Sequence, residues 1–195
     1  MRNNQQVNIV IRSIGLWLLI LASMQVSAYS YSEAGKEPLI EGREALIGAM
    51  LADDKQAALL VLEQITPELV ELEKVMPTQL TGRLKDAVNN KDRSSVIHIM
   101  NTVFALEIKR RLNSAEENIN DYQKSKILVA KSNRFLNTII VELDDDDAEM
   151  AAQSIKRCLK SLGNPGVFGA GAVAANPEKF KKAKQVLFES ISLFE

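Results

Sequence analysis

Histidine, cysteine and tryptophan each occur once in the 195 residues, as His98, Cys158 and Trp17, and aromatic residues make up only 5%. A single cysteine allows no intramolecular disulfide, no Cys-x-x-Cys-His haem attachment and no multi-cysteine zinc or iron–sulfur site. A single histidine leaves no pair of Glu-x-x-His elements for a di-iron carboxylate bundle. The chain also lacks a surplus of either charge: 24 Lys and Arg stand against 25 Asp and Glu, a formal net charge of −1. Without a basic excess or an aromatic platform, nucleic acid is not an expected partner. No alternating strand pattern appears, and Pro (5) and Gly (9) are sparse outside one stretch.

Long helical periodicities are abundant. The stretch Asp92–Leu143 reads as the organising element, two long antiparallel helices expected to meet at Leu112-Asn113-Ser114. There Ser114 and Glu117 have capping-box spacing. Val96, Ile97, Met100, Val103, Phe104 and Ile108 recur at three- and four-residue steps before that point. Ile119, Tyr122, Ile127, Val129, Ala130, Leu136, Ile139 and Ile140 do the same after it.

Around this hairpin a helix is expected from Pro38, another after Asp53-Asp54, and a third opened by Thr66-Pro67 and ended by Met76-Pro77. A further helix leads from Leu80 to the hairpin. Ala148, Ala151, Ala152, Ile155, Cys158, Leu159 and Leu162 mark one face of a later helix. Phe180, Ala183, Val186, Leu187, Ile191 and Phe194 mark the last. The expected fold is all-α, a single bundle of six to eight helices over residues 37–195. A weak internal echo overlays Leu46–Ile65 on Leu84–Val103, pairing Asp54-Lys55 with Asp92-Arg93 and Leu60 with His98. Two copies are too few to define a solenoid, and duplication and coincidence both account for the echo.

The first 28 residues carry the pattern of a secretory signal peptide: Arg2 and Arg12, an apolar core Ile14–Ala22, and Val26-Ser27-Ala28 as a small-residue cleavage site. The core is about half the ~20 residues a spanning helix needs, so no stable membrane anchor is expected after cleavage. Residues 29–36 read as a polar, flexible arm. Losing two Arg and no acid, the mature chain would move from −1 to −3. The implied location is periplasmic or secreted.

The candidate sites each have a bland counterpart. His98 is a metal-ligand candidate, although its alignment with Leu60 suggests a partly buried structural histidine. Asp144, Asp145, Asp146 and Asp147 can bind a hard cation or can favour the positive end of the helix they precede. At the hairpin tip, Glu107, Arg111, Tyr122 and Lys126 form a candidate ligand or partner surface. Lys126, on an otherwise apolar face, is expected to seek a carboxylate such as Glu107, while surface helix pairs are the alternative.

The stretch Gly163–Ala175 (GNPGVFGAGAVAA) is the most distinctive, but it has neither the preceding strand nor the directly following helix of a dinucleotide fingerprint. Val167, Phe168 and Gly169 make it a binding-loop candidate if Phe168 is exposed and a structural corner if it is buried. Cys158 falls on an apolar face with no histidine near in sequence, and no catalytic motif is present. The expectation is therefore an exported, non-enzymatic protein that binds a protein partner or a small ligand in the cell envelope. The alternative is a metal or cofactor carrier. No cofactor is evident, and a metal ion is the one candidate.

Overall fold

A computed structural model describes residues 37–166 and 168–194. The expected signal peptide, the arm at 29–36 and Val167 lie outside the described residues. The chain from Pro38 onward is all-α: α1 (Pro38–Leu51), α2 (Lys55–Val75), α3 (Leu80–Asn89), α4 (Arg93–Glu117), α5 (Tyr122–Ile139), α6 (Asp145–Ser161) and α7 (Pro177–Ser190). Short 3₁₀ turns cover Ile140–Glu142 and Ser192–Phe194.

The packing closes two rings on one shared helix. Helix α1 packs on α2, α2 on α3, α3 on α4, and α4 back on α1. Helix α4 also packs on α5, α5 on α6, α6 on α7, and α7 returns to α4. This double duty explains the composition of α4, where Asn101–Ala105 are buried without interruption. A helix covered on several sides loses the single apolar stripe of a surface helix. The expected central hairpin is thus present as α4 and α5.

Five of the seven described helix starts follow one local rule. Asp54, Asp92, Asp121, Asp144 and Asn176 cap α2, α4, α5, α6 and α7, each side-chain oxygen accepting from the backbone N–H three residues on. These caps satisfy donors that the first helical turn leaves without partners.

Two boundaries differ from the sequence expectation. Helix α4 does not stop at Leu112–Ser114; Leu112 and Ala115 continue its buried stripe to Glu117, and the Ser114 carbonyl accepts from the Asn118 backbone and side-chain amides. The chain turns at 118–121, where Asp121 supplies the cap. Nor does Thr66-Pro67 open a helix. Pro67 lies within α2, its ring on the exposed side, while Leu62, Ile65, Leu69 and Leu72 keep one buried stripe in phase through it. Burial of that stripe outweighs the local cost of a helix-interior proline, about 3 kcal/mol.

The internal echo has a geometric counterpart. Asp53 and Lys91 both adopt φ +56°, in the left-handed region, and each is followed by a capping aspartate. The Asp54 N–H reaches the Ala49 carbonyl and the Asp92 N–H the Ala87 carbonyl, both at 2.9 Å. The two corners also touch: Lys91 Nζ lies 2.8 Å from Asp53 Oδ1, and Lys55 Nζ donates to the Asn89 carbonyl at 3.2 Å. Helices α1 and α2 meet closely at Gly42, where a Cβ would run into Ile65 Cγ2.

Candidate functional site

The hairpin-tip residues separate into a buried knot and an exposed edge. Glu107 is buried on α4 and accepts from Arg110 Nε (3.0 Å), Arg110 Nη2 (2.8 Å) and Arg111 Nε (2.7 Å). Burial works to raise its pKa, but the two guanidiniums outweigh burial and hold the carboxyl below its ordinary value. Arg111 also lies 4.7 Å from the centre of the Phe135 ring. Lys126 is not drawn between the helices toward Glu107. It is exposed, 5.5 Å from the centre of the Tyr122 ring on its own helix. The physical reason is that Arg110 and Arg111, one turn from Glu107 on α4 itself, already occupy its oxygens.

This knot continues into a joint between the rings. Phe104 and Phe135 meet edge to face with centroids 5.1 Å apart, and the Arg43 guanidinium of α1 stands 6.0 Å from the Phe104 ring centre. Arg43 Nη2 donates to Asn101 Oδ1 at 3.2 Å. Burial pulls the Arg43 pKa down, countered by the Glu142 and Glu44 charges. Charged groups held this closely by rings and helix packing are architectural.

His98 is exposed on α4 rather than partly buried, because Val96, Ile99, Met100 and Val103 take the inward positions around it. Its echo partner Leu60 is exposed as well, so the alignment holds while the inference of a core position fails. Asp144 caps α6, and Asp145, Asp146 and Asp147 occupy its first turn. Among the described residues no three histidine, cysteine or carboxylate side chains are grouped to hold a metal ion.

The glycine-rich stretch forms an ordered loop between α6 and α7. Asn164 and Val173 exchange backbone hydrogen bonds of 2.8 and 2.7 Å, the Gly166 N–H reaches Asn164 Oδ1 at 3.0 Å, and the Asn176 N–H reaches the Ser161 carbonyl at 2.8 Å. Gly163 and Gly166 have φ of +73° and +72°, and a Cβ on either would meet backbone atoms across the loop. Phe168, itself at φ +52°, is fully exposed, and Gly169 beside it is exposed.

Beside this loop, α6 and α7 enclose a cleft of about 530 Å³. Arg157 and Lys160 approach from α6, Lys179 and Lys182 from α7, each pair three residues apart and so on one helix edge. Ala183 and Val186 of α7, with Val173 and Ala174 of the loop, supply the apolar lining. Among the described residues no carboxylate lines it. Sequence reasoning singled out the loop and missed these cations. The signal was nonetheless present: residues 150–184 contain seven basic residues and one acid, a net +6 within a chain of −1. One of the seven, Lys184, is committed elsewhere, to Glu116 and Asn113 of α4.

Cys158 is buried on α6, and burial pushes its thiol up to about 12, where thiolate is scarce at neutral pH. The arrangement can hold an anion against an apolar surface. Comparison of the chain with family models, with curated proteins and with solved structures gives no match.

Proposed function

We propose that this is an exported, non-enzymatic helical-bundle protein that binds a small, partly apolar anion in the cleft between α6 and α7. The observation that supports this reading is the convergence of Arg157, Lys160, Lys179 and Lys182 on an apolar lining that no described carboxylate enters. The volume lies within the range of small-molecule sites, which run from about 300 to 1,000 Å³. Four cations would fix the acidic head, and the methyl groups of Val173, Ala183 and Val186 would cover a short hydrocarbon or ring. Export rests on the Arg2–Ala28 pattern, and amino-terminal sequencing of the protein from its host should begin at Tyr29.

Titration calorimetry with decyl phosphate, below its micelle concentration, tests the binding reading. Saturable binding is expected, weakened about ten-fold or more in Lys179→Glu/Lys182→Glu, a step equivalent to about 1.4 kcal/mol. No heat from the parent chain, or equal affinity in the double variant, would sink the reading. Decanol, with the same tail and no charge, should bind more weakly than decyl phosphate.

A further inference from the structure

We propose that the loop between α6 and α7 docks this protein on an anionic lipid bilayer, with Phe168 entering the interface and the neighbouring cations holding the headgroups. The proposal extends beyond the cleft, because Phe168 does not line it.

The six phenylalanines make the first argument. Phe104, Phe135, Phe180 and Phe194 are buried and Phe188 packs half-buried against the core, whereas Phe168 is fully exposed. The exposure is built in. The Asn164–Val173 pairing closes the base of the loop, and positive φ at Gly166, Phe168, Gly169 and Gly171 sets its course. Val173, on the same loop, is exposed too. A fully exposed aromatic ring loses burial that the other five obtain.

Charge is distributed to match. Arg157, Lys160, Lys179 and Lys182 lie at the loop end of α6 and α7, while Asp144–Asp147 and Glu149 lie at the far end of α6. Glu178, in the first turn of α7, is the one acid at that end, so the helix pair is polarised along its length with its positive end at the loop. Cations beside a short apolar insertion are the arrangement that anionic headgroups attract. A protein partner fits less well: one ring and one valine fall far short of the roughly 800 Å² each side of a stable interface buries. The attachment would be peripheral, since no described helix is long and apolar enough to cross a membrane.

Co-sedimentation of the exported chain, beginning at Tyr29, with extruded vesicles tests this, using phosphatidylcholine alone and phosphatidylcholine mixed with phosphatidylglycerol. The chain should sediment only with the mixed vesicles and be released by added salt, because exposed charges are screened within about 10 Å at 0.1 M. Phe168→Ser should lower partitioning about ten-fold and leave decyl phosphate binding unchanged. Phe168→Trp, the only tryptophan of a chain that begins at Tyr29, should shift its emission to the blue on mixed vesicles. Equal sedimentation of the parent and Phe168→Ser, equal affinity for neutral vesicles, or no blue shift would overturn bilayer docking. Decyl phosphate binding without vesicle binding would overturn it too, leaving the cleft reading intact. Vesicle binding that depends on Phe168 without decyl phosphate binding would support docking and remove the cleft.

Discussion

The two rings that share α4 are built to different specifications. In the first, α1 to α4 are joined by corners of three or four residues, at 52–54, 76–79 and 90–92, and the core is chiefly aliphatic: Leu39, Leu46, Leu62, Leu69, Leu80 and Leu84. In the second, aromatic rings enter the core at Phe135, Phe180 and Phe194, and α6 and α7 are separated by the 15 residues 162–176. Short corners and leucine stripes make a rigid support. A connection longer than about 12 residues inside a small bundle is more often a binding element than a mere link. The difference teaches where to look: the first ring explains why the protein stands, and the second holds the cleft and the exposed phenylalanine.

The sharpest way to break the comparison is to cut what the rings have in common. Glu107→Ala removes the buried carboxylate that Arg110 and Arg111 share. Breaking such a buried pair costs about 3–5 kcal/mol. Urea unfolding should shift as one cooperative transition, since α4 belongs to both rings. An early transition confined to part of the helical signal would show the rings to be independent. The same group sets an acid limit. Its folded pKa lies below the ordinary 4.5, so its stabilisation is complete above 4.5 and is lost as pH falls through the depressed value. Asp92 behaves alike: hydrogen bonds from the Ser95 hydroxyl, the Ser95 N–H and the Ser94 hydroxyl hold it at about 2, so its contribution fades between about 3.8 and 2. Glu107→Ala should flatten the acid side of a stability–pH profile recorded by urea midpoints.

Next in size is a change expected to strengthen the first ring alone. Pro67→Ala restores a backbone donor and removes ring crowding inside α2 without touching the buried stripe. It should raise stability by about 1–3 kcal/mol, read as a higher urea midpoint. A loss would mean that the proline shapes the packing of Ile65 and Leu69.

That proline also marks the limit of what the sequence discloses. Helical periodicity at Leu62, Ile65, Leu69 and Leu72 was legible through position 67, yet the local signal of Thr-Pro read as a start. At Ser114 a capping box read as a boundary where Leu112 and Ala115 carried the helix on. In both cases burial of a continuing stripe, a property of the assembled bundle, overrode a valid local preference. The all-α class, the cap at Asp53-Asp54 and the Met76 terminus depend on local chemistry and were legible, whereas the Asp121 cap was not. The cleft was not. Its four cations come from two helices separated by the loop, and only packing of α6 on α7 brings them together. Phe168 was legible as a candidate, but its exposure depends on the loop being held open by Asn164 and Val173.

The twin corners of the first ring offer a finer test. Asp54→Ala removes one cap hydrogen bond, from Ala57, and should cost about 1 kcal/mol. Asp92→Ala removes the matching bond from Ser95 together with two hydroxyl bonds, from Ser94 and Ser95. It should therefore be the more damaging of the two in thermal unfolding. Equal losses would mean that the backbone cap alone matters and that the corners are equivalent in energy as well as in shape.

The smallest expected stability effect belongs to the most conspicuous side chain. Phe168 is fully exposed, so Phe168→Ser removes no core contact, and its surface position places the stability change within about ±0.5 kcal/mol. Serine tolerates the residue's φ of +52° no worse than phenylalanine does. Differential scanning calorimetry of the two chains should give superimposable transitions, in contrast to the large shift from Glu107→Ala. A clear loss of stability would place the ring against the bundle in solution and make the loop a structural corner. An unchanged transition, set beside a fall in vesicle binding, would assign the side chain to interaction rather than folding and confine the two rings to different tasks.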